Sequence, residues 1–347
     1  MRLRSGISLR DSDLLRWLKC ALFLVCIPVL SLAVLAQTQT YTYIRAGKSE
    51  PAPTKYEFGI AMMGGGSDLD EAFRWLCSKA AGGDLLVLRA HGDDEYNAYI
   101  AGLCKLNAVA TLVIPDRGAA QDLRVAAIIQ SAQAIFIAGG DQSRYINFWR
   151  GTPVQDALNA NISEGKPIGG TSAGMAVLGE FIFGALQDKE DDKDLASPAV
   201  LRNPYSNRVT LVRNFLRLSL LQNTLTDSHF TKRDRLGRSL GFLARIAQDG
   251  WSAHPREIAI DERSAVLVEA DGNARVIGPG RGVYFLSVTQ PPEVCKPSTP
   301  LTIRDVTVYH VRAGSHFDLK SWNGQGGEGY MVSVVAGQVR STAGKDH

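Results

Sequence analysis

Between residues 56 and 171 one unit recurs: a short apolar run, a break at glycine or a small polar residue, then apolar residues returning at helical spacing. Residues 56–63 run into Gly64-Gly65-Gly66, and Ser67 and Asp68 are placed to cap a helix. In that helix Leu69, Ala72, Phe73, Leu76, Cys77 and Ala80 share one face, and Gly82-Gly83 stops it. The alternation continues with strands at 85–89, 110–114 and 134–138 and helices near 97–106, 121–132 and 145–160; Pro167-Ile168 opens a fifth strand. A strand covered on both faces reads as an unbroken apolar run, so the pattern predicts an α/β fold: a mostly parallel sheet with helices on both faces. Sites in such sheets gather at the carboxyl ends of the strands. That rule brings Gly139-Gly140-Asp141-Gln142 and Gly170-Thr171-Ser172 to one edge.

Past the fifth strand the pattern changes. Residues 187–194, rich in acids and lysine, read as a solvated loop; 211–221 reads as an apolar helix, and a second helix runs through Ala247. Strands are expected at 258–260, 265–268, 274–277 and 283–286, with Asp271-Gly272 at a hairpin turn, and again at 303–311 and 330–335. The domain reading is a signal at 1–36, a polar linker at 37–54 with Pro51 and Pro53, a main domain at 55–290 and a C-terminal β extension at 291–347.

The signal rests on Arg2, Arg4, Arg10, Arg16 and Lys19 ahead of an uncharged run, 20–36, that ends in Val34-Leu35-Ala36. About 17 apolar residues sit at the short limit for a membrane anchor, so we expect export, with the mature chain secreted or periplasmic and off the membrane. Cleavage there removes five of the 38 basic and two of the 35 acidic residues, leaving 33 of each. The formal +3 therefore belongs to the signal, and the mature balance argues for no nucleic-acid partner. Cys77, Cys104 and Cys295 remain, an odd number at wide spacing that allows one bridge at most, with Cys77 assigned to the core by its helical face. No Cys-x-x-Cys or His-Glu-x-x-His spacing occurs, so neither a metal nor another cofactor is expected.

Gly170-Thr171-Ser172-Ala173-Gly174 has the small residues that a nucleophile elbow needs, where a sharp strand-to-helix turn exposes a hydroxyl. Residues 175–180 read as the helix whose free N–H groups aim at that serine, which can be a nucleophile or an anion contact. A nucleophile needs a histidine base and a carboxylate to orient it. Among His91, His229, His254, His310, His316 and His347, only His229 has dense polar company, in Asp227-Ser228-His229-Phe230 and Arg233-Asp234-Arg235-Leu236-Gly237-Arg238. A competing order, Ser172, Asp261 and His310 or His316 with Gly64-Gly65-Gly66 as oxyanion loop, is that of an α/β-hydrolase.

Taken together, Gly139-Gly140-Asp141-Gln142, Gly169-Gly170-Thr171-Ser172-Ala173-Gly174, Asp227-Ser228-His229-Phe230 with Arg233, Arg235, Gly237 and Arg238, and Ile260-Asp261-Glu262 resemble the cyanophycinase family of serine exopeptidases. That family is related to aspartyl dipeptidase and has the class I glutamine-amidotransferase-like fold, a flavodoxin-like parallel sheet. The match runs from about residue 56 to 290. The resemblance implies Ser172 as nucleophile, His229 as base and Glu262 as the orienting carboxylate, with Asp261 and Glu190 as other choices for the acid. It implies oxyanion donors at the N–H groups of Gly140 and Ala173. Its substrate is multi-arginyl-poly-aspartate, cut to β-aspartyl-arginine dipeptides. Arg233, Arg235 and Arg238 would then take carboxylates, while Gln142, Asp227 and Ser228 would line the site around the guanidinium or chain end. A homodimer is compatible with this reading. Two departures stand out: Ser228 occupies the place of a glutamine in polymer-degrading members, and Met175 that of a small residue. A serine is shorter and cannot donate two hydrogen bonds as a glutamine amide does.

Overall fold

Five strands run parallel in the spatial order Ala108–Val113, Asp84–Arg89, Ala134–Ile137, Ile168–Thr171 and Gly59–Met63. The computed structural model describes residues 40–50, 55–187 and 194–343; the expected signal, Glu190 and His347 lie outside the described residues. Successive side chains point to opposite faces of each strand. Ile60 and Met62 accordingly join a core with Ile129 and Leu158, from the helices Leu123–Ser131 and Pro153–Ser163. Ala61 and Met63 join another with Phe73 and Leu76 of the helix Asp70–Lys79. The sheet is thus covered on both sides, as unbroken apolar strands require.

Both edges of this sheet grow antiparallel. Thr42–Gly47 pairs with Ala108–Val113, so the stretch read as a linker contains a strand; its polar, half-exposed sequence is what one-sided pairing at an edge permits. On the other side come Ala265–Glu269, Asn273–Ile277, His316–Asp318 and Asn323–Gln325. A second, eight-stranded sheet has the order Gln338–Ser341, Glu328–Val335, Ile303–Val311, Val283–Ser287, Arg256–Ile260, Thr224–Asp227, Phe181–Phe183, Leu211–Arg213. Within it Thr224–Asp227 and Arg256–Ile260 are parallel, which sets their carboxyl ends side by side. The C-terminal strands divide between the two sheets, and from Thr40 onward the described residues form one compact unit.

Local conformation corrects several expected elements. Residues 211–221 are a strand, Leu211–Arg213, and a 3₁₀ turn, Ser219–Leu221, because Asn214 adopts a left-handed conformation (φ 61°) that ends any regular run. Gly151 and Pro153 divide 145–160 into the helices Gln142–Trp149 and Pro153–Ser163. The helix after Ser172 is a single turn, Ala173–Ala176. Cys77 is buried as expected but is also bonded to Cys104, tying Asp70–Lys79 to the end of Glu95–Leu103; Cys295 is free and buried.

Two glycines test this packing in opposite directions. A Cβ on Gly174 would stand 2.0 Å from the Ile137 carbonyl oxygen, whereas one on Gly102 meets nothing within 4 Å. Gly174→Ala should yield insoluble or unfolded chain, and Gly102→Ala, inside a helix, should raise the urea-unfolding free energy by about 0.5–1 kcal/mol.

Candidate active site

The turn between Ile168–Thr171 and Ala173–Ala176 puts Ser172 at φ 50°, ψ −116°. A side chain in such a conformation costs about 1–3 kcal/mol and persists only where its surroundings enforce it. Here they do: a Cβ on Gly170 would lie 2.6 Å from the Gly174 carbonyl carbon, so the chain crosses itself too closely for any other residue. The Ser172 hydroxyl lies 2.7 Å from His229 Nε2, and His229 Nδ1 lies 2.7 Å from Glu262 Oε1. Ser172, His229 and Glu262 therefore stand in one hydrogen-bonded line, the histidine itself left-handed at φ 48°.

Three consecutive backbone carbonyls hold that line. The carbonyl of Met63 accepts the Ser172 N–H at 3.1 Å, that of Gly64 the His229 N–H at 2.9 Å, and that of Gly65 the Arg263 N–H, one residue past Glu262, at 2.9 Å. Gly65 (φ 91°) also leaves room for the ring, since a Cβ there would stand 2.5 Å from His229 Cε1. The glycine run thus braces the histidine and acid, and is not the oxyanion loop of the α/β-hydrolase order. The histidines of that order are engaged elsewhere: His310 stacks on Tyr284 at 4.2 Å and donates from Nε2 to the Arg281 carbonyl, and His316 sits in the strand His316–Asp318. Asp261 accepts from the Thr231 hydroxyl and the Lys232 N–H, fixing the turn after His229 and leaving Glu262 as the carboxylate on its ring.

On the other side of Ser172 lies the loop Gly139-Gly140: a Cβ on Gly139 would be 3.5 Å from that of Ser172. Tyr145 donates to the carbonyls of Ala138 and Gly139 and holds the loop there. The N–H groups of Gly140 and of Ala173, the first residue of its helix, have no acceptor among the described residues, as oxyanion donors require. Asp141 caps Gln142–Trp149 by accepting the Ser143 N–H, which sets Gln142 on the wall of a cleft of about 830 Å³. Arg89, His91, Arg144 and Arg233 line the same cleft. Asp68, expected as a helix cap, instead accepts from the hydroxyls of Thr171 and Tyr96, clamping the residue before the nucleophile; its burial raises its pKa. Helical spacing gave no sign of that role.

The arginines divide. Arg238 is fully buried and pairs with Asp227 through Nε (2.9 Å) and Nη2 (2.7 Å), and Arg235 reaches Asp227 from Nη1 at 2.9 Å. Asp194, expected in a solvated loop, accepts from both. Despite its burial, the charge of Arg238 and then of Arg235 holds Asp194 down to about 2 and Asp227 below the usual carboxylate range. Ser228 is buried too, its carbonyl taking the Arg235 Nη1 at 2.8 Å. Asp227, Ser228 and Arg238 are therefore the internal frame of the His229 segment, not the substrate contacts expected of them, whereas Arg235 belongs to that frame and also lines the cleft. Arg233, 45% exposed in its side chain and 3.6 Å from Asp194, is the one of the three that opens to solvent. Met175 is buried in the core, and its carbonyl accepts from Thr226, joining the elbow to the strand Thr224–Asp227. Beneath the frame, burial and then the nearby Asp227 push the Glu257 carboxyl up to about 8, so it is neutral at pH 7 and two arginines balance two aspartates. Burial, with Arg233 and Arg235 adding to it, lowers the His229 pKa against the pull of Glu262.

A model of peptidase family S51 matches residues 93–272, just over half of the chain and a span holding Ser172, His229 and Glu262. The cyanophycinases of Synechococcus elongatus and Thermosynechococcus vestitus are each 30% identical over 223 residues, 61% of this chain and 61% of theirs. That of Trichormus variabilis is 27% identical over 219 residues, 61% of this chain and 65% of its own. The chain thus matches about three fifths of the length of these relatives. The crystal structure of a peptidase from an acI-B1 Actinobacterium aligns with a TM-score of 0.49 at 16% identity, covering 76% of this chain and 97% of that one.

The buried frame should dominate stability. Asp227→Asn leaves two buried guanidinium groups short of a counter-charge and should cost about 3–5 kcal/mol in urea unfolding, while Arg233→Ala, at the surface, should cost under about 1 kcal/mol. Glu257 binds its proton more tightly folded than unfolded, so its contribution is full below its ordinary value of 4.5 and lost as pH rises through about 8. Glu257→Gln should flatten the decline in stability across that window.

Proposed function

We propose that this chain, which belongs to peptidase family S51, is a serine exopeptidase that hydrolyses multi-arginyl-poly-aspartate or related β-aspartyl peptides through an acyl-enzyme. The observation that carries the reading is the line Ser172–His229–Glu262, with the loop Gly139-Gly140 beside the serine. In the first step Ser172 Oγ bonds to the scissile carbonyl carbon and its proton passes to His229 Nε2. The N–H groups of Gly140 and Ala173 meet the negative charge that develops on the carbonyl oxygen, each worth about 3 kcal/mol of barrier. The C–N bond breaks as the leaving amine takes the proton from Nε2. Water, giving a proton to the same nitrogen, then attacks the acyl carbon, and Ser172 leaves with that proton restored. Glu262 keeps the Nδ1–H tautomer and stabilises the transient imidazolium.

Substrate selection falls to the open cleft wall, where Arg233 supplies a planar fork for a carboxylate and Gln142 an amide for the chain end. The basic leader and uncharged run of 1–36 support action outside the cytoplasm, where a polymer too large to enter would be met.

Purified chain should release dipeptides from multi-arginyl-poly-aspartate or turn over β-aspartyl dipeptides, and Ser172→Ala should lose about 10⁴-fold or more in kcat. No turnover on either, together with no labelling by serine-directed reagents, would replace the enzyme by a binding protein. The base must be neutral to act, and burial favours the neutral form, so the acid limb of kcat/KM should lie below the ordinary imidazole pKa. Glu262→Gln removes the group that opposes this and should move the limb lower still, with kcat reduced about 10⁴-fold by loss of the right tautomer.

A further inference from the structure

A second cleft, of about 800 Å³, opens on the far side of Glu262 and touches none of the residues that carry the substrate in the reading above. Its shape is set by the sheet. In the second sheet Ile260 is level with Val283, Val283 with Val311, and His310 with Glu328. Glu262 and Arg263 just past one strand, Arg281 just before the next, Arg312 just past the third and Glu328 at the start of the fourth are therefore ranked along one edge. Three strand spacings make this row about 14 Å long.

Lys232, Arg263, Arg281 and Arg312 are exposed at its rim, and none forms an ion pair among the described residues. Of the acids beside them Asp261 is committed to the turn after His229 and Glu262 to the imidazole, while Glu328 stands exposed at the far end of the row. The floor is aromatic, Tyr284 stacked on His310 at an interplanar angle of 6°. Arg281, Arg312 and Glu328 lie outside the family match at 93–272. An extended polypeptide places side chains of one side about 7 Å apart, so some two successive carboxylates on that side fit the row.

We propose that this cleft is a second subsite, holding carboxylate-bearing residues of an aspartate polymer away from the bond being cut. The proposal rests on reading Ser172 as the nucleophile of an aspartyl-polymer hydrolase. Arg281 and Arg312 are its central forks, and Glu262, which lines the cleft and holds the imidazole, joins it to the catalytic line.

The test measures binding of poly-L-aspartate to the full chain carrying Ser172→Ala, so that nothing is cut. Adding Arg281→Ala and Arg312→Ala should weaken binding about tenfold and reduce its salt dependence. Arg281→Lys with Arg312→Lys, keeping charge without the fork, should fall between. Lys48→Ala with Lys105→Ala, two exposed cations at the amino ends of the parallel strands, should leave affinity as it was. Equal affinity in the arginine and lysine pairs overturns the subsite, as does no binding at all or capture of single-stranded DNA of the same charge with the same arginine dependence. If the chain with Ser172 intact releases no dipeptide while the Ser172→Ala chain loses poly-L-aspartate only in the arginine pair, the subsite stands and the hydrolase is refuted.

Discussion

The carbonyls of Met63, Gly64 and Gly65 are what the rest of the site depends on. They accept, in sequence, the N–H groups of Ser172, His229 and Arg263, and so fix three segments that lie far apart along the chain. Each partner is at or beside a residue with positive φ: Ser172 at 50°, His229 at 48°, Arg263 at 59°. Conformations of that kind are disfavoured for side-chain-bearing residues and survive only where the surroundings leave no alternative. A strand end with no side chains beyond Met63 can approach all three backbones, which explains glycine at 64 and 65 through close contact: a Cβ at 64 would sit 2.1 Å from the Asp261 carbonyl oxygen.

The arrangement also joins two sheets. Ser172 belongs to the ten-stranded sheet, whereas His229 and Glu262 come after neighbouring parallel strands of the eight-stranded one. Neither sheet alone holds a nucleophile with its base. The His229 strand is further pinned by Arg238 and Arg235 on Asp227, a buried pairing whose removal on one side leaves charge stranded in an apolar setting among Phe183 and Phe242. The frame thus works as an orienting device for a histidine several residues away, which accounts for so much charge beneath a site whose chemistry uses little of it.

A single division separates the legible from the hidden in this sequence. The parallel sheet was legible because burial on both faces forces unbroken apolar runs, and the elbow because close chain crossing forces glycine on both sides of Ser172. The roles of 63–65 were hidden because they are played by carbonyls, which every residue has. The buried and the solvent-facing arginines could not be separated, since Arg233, Arg235 and Arg238 share a polar neighbourhood in sequence and differ only in what folds over them. Asp194 was unreadable for the same reason: an acid in a charged run looks solvated until the guanidinium groups it meets are placed. The edge strand Thr42–Gly47 is hidden because one-sided pairing tolerates the polar composition of a linker.

The C-terminal strands set the frame of the second cleft. Adding Ile303–Val311 and Glu328–Val335 beside Val283–Ser287 lengthens the very sheet whose Arg256–Ile260 strand leads into Glu262. Register across antiparallel neighbours is fixed by which side chains face the core, and Val283, Phe285, Val308 and Val311 are all buried. The strands that flank Arg281 and Arg312 therefore cannot slip past one another without turning buried residues out to solvent. Sheet register thus sets the spacing of the strand ends from which Arg281 and Arg312 project, and a constant spacing suits a ligand that is itself a regular repeat.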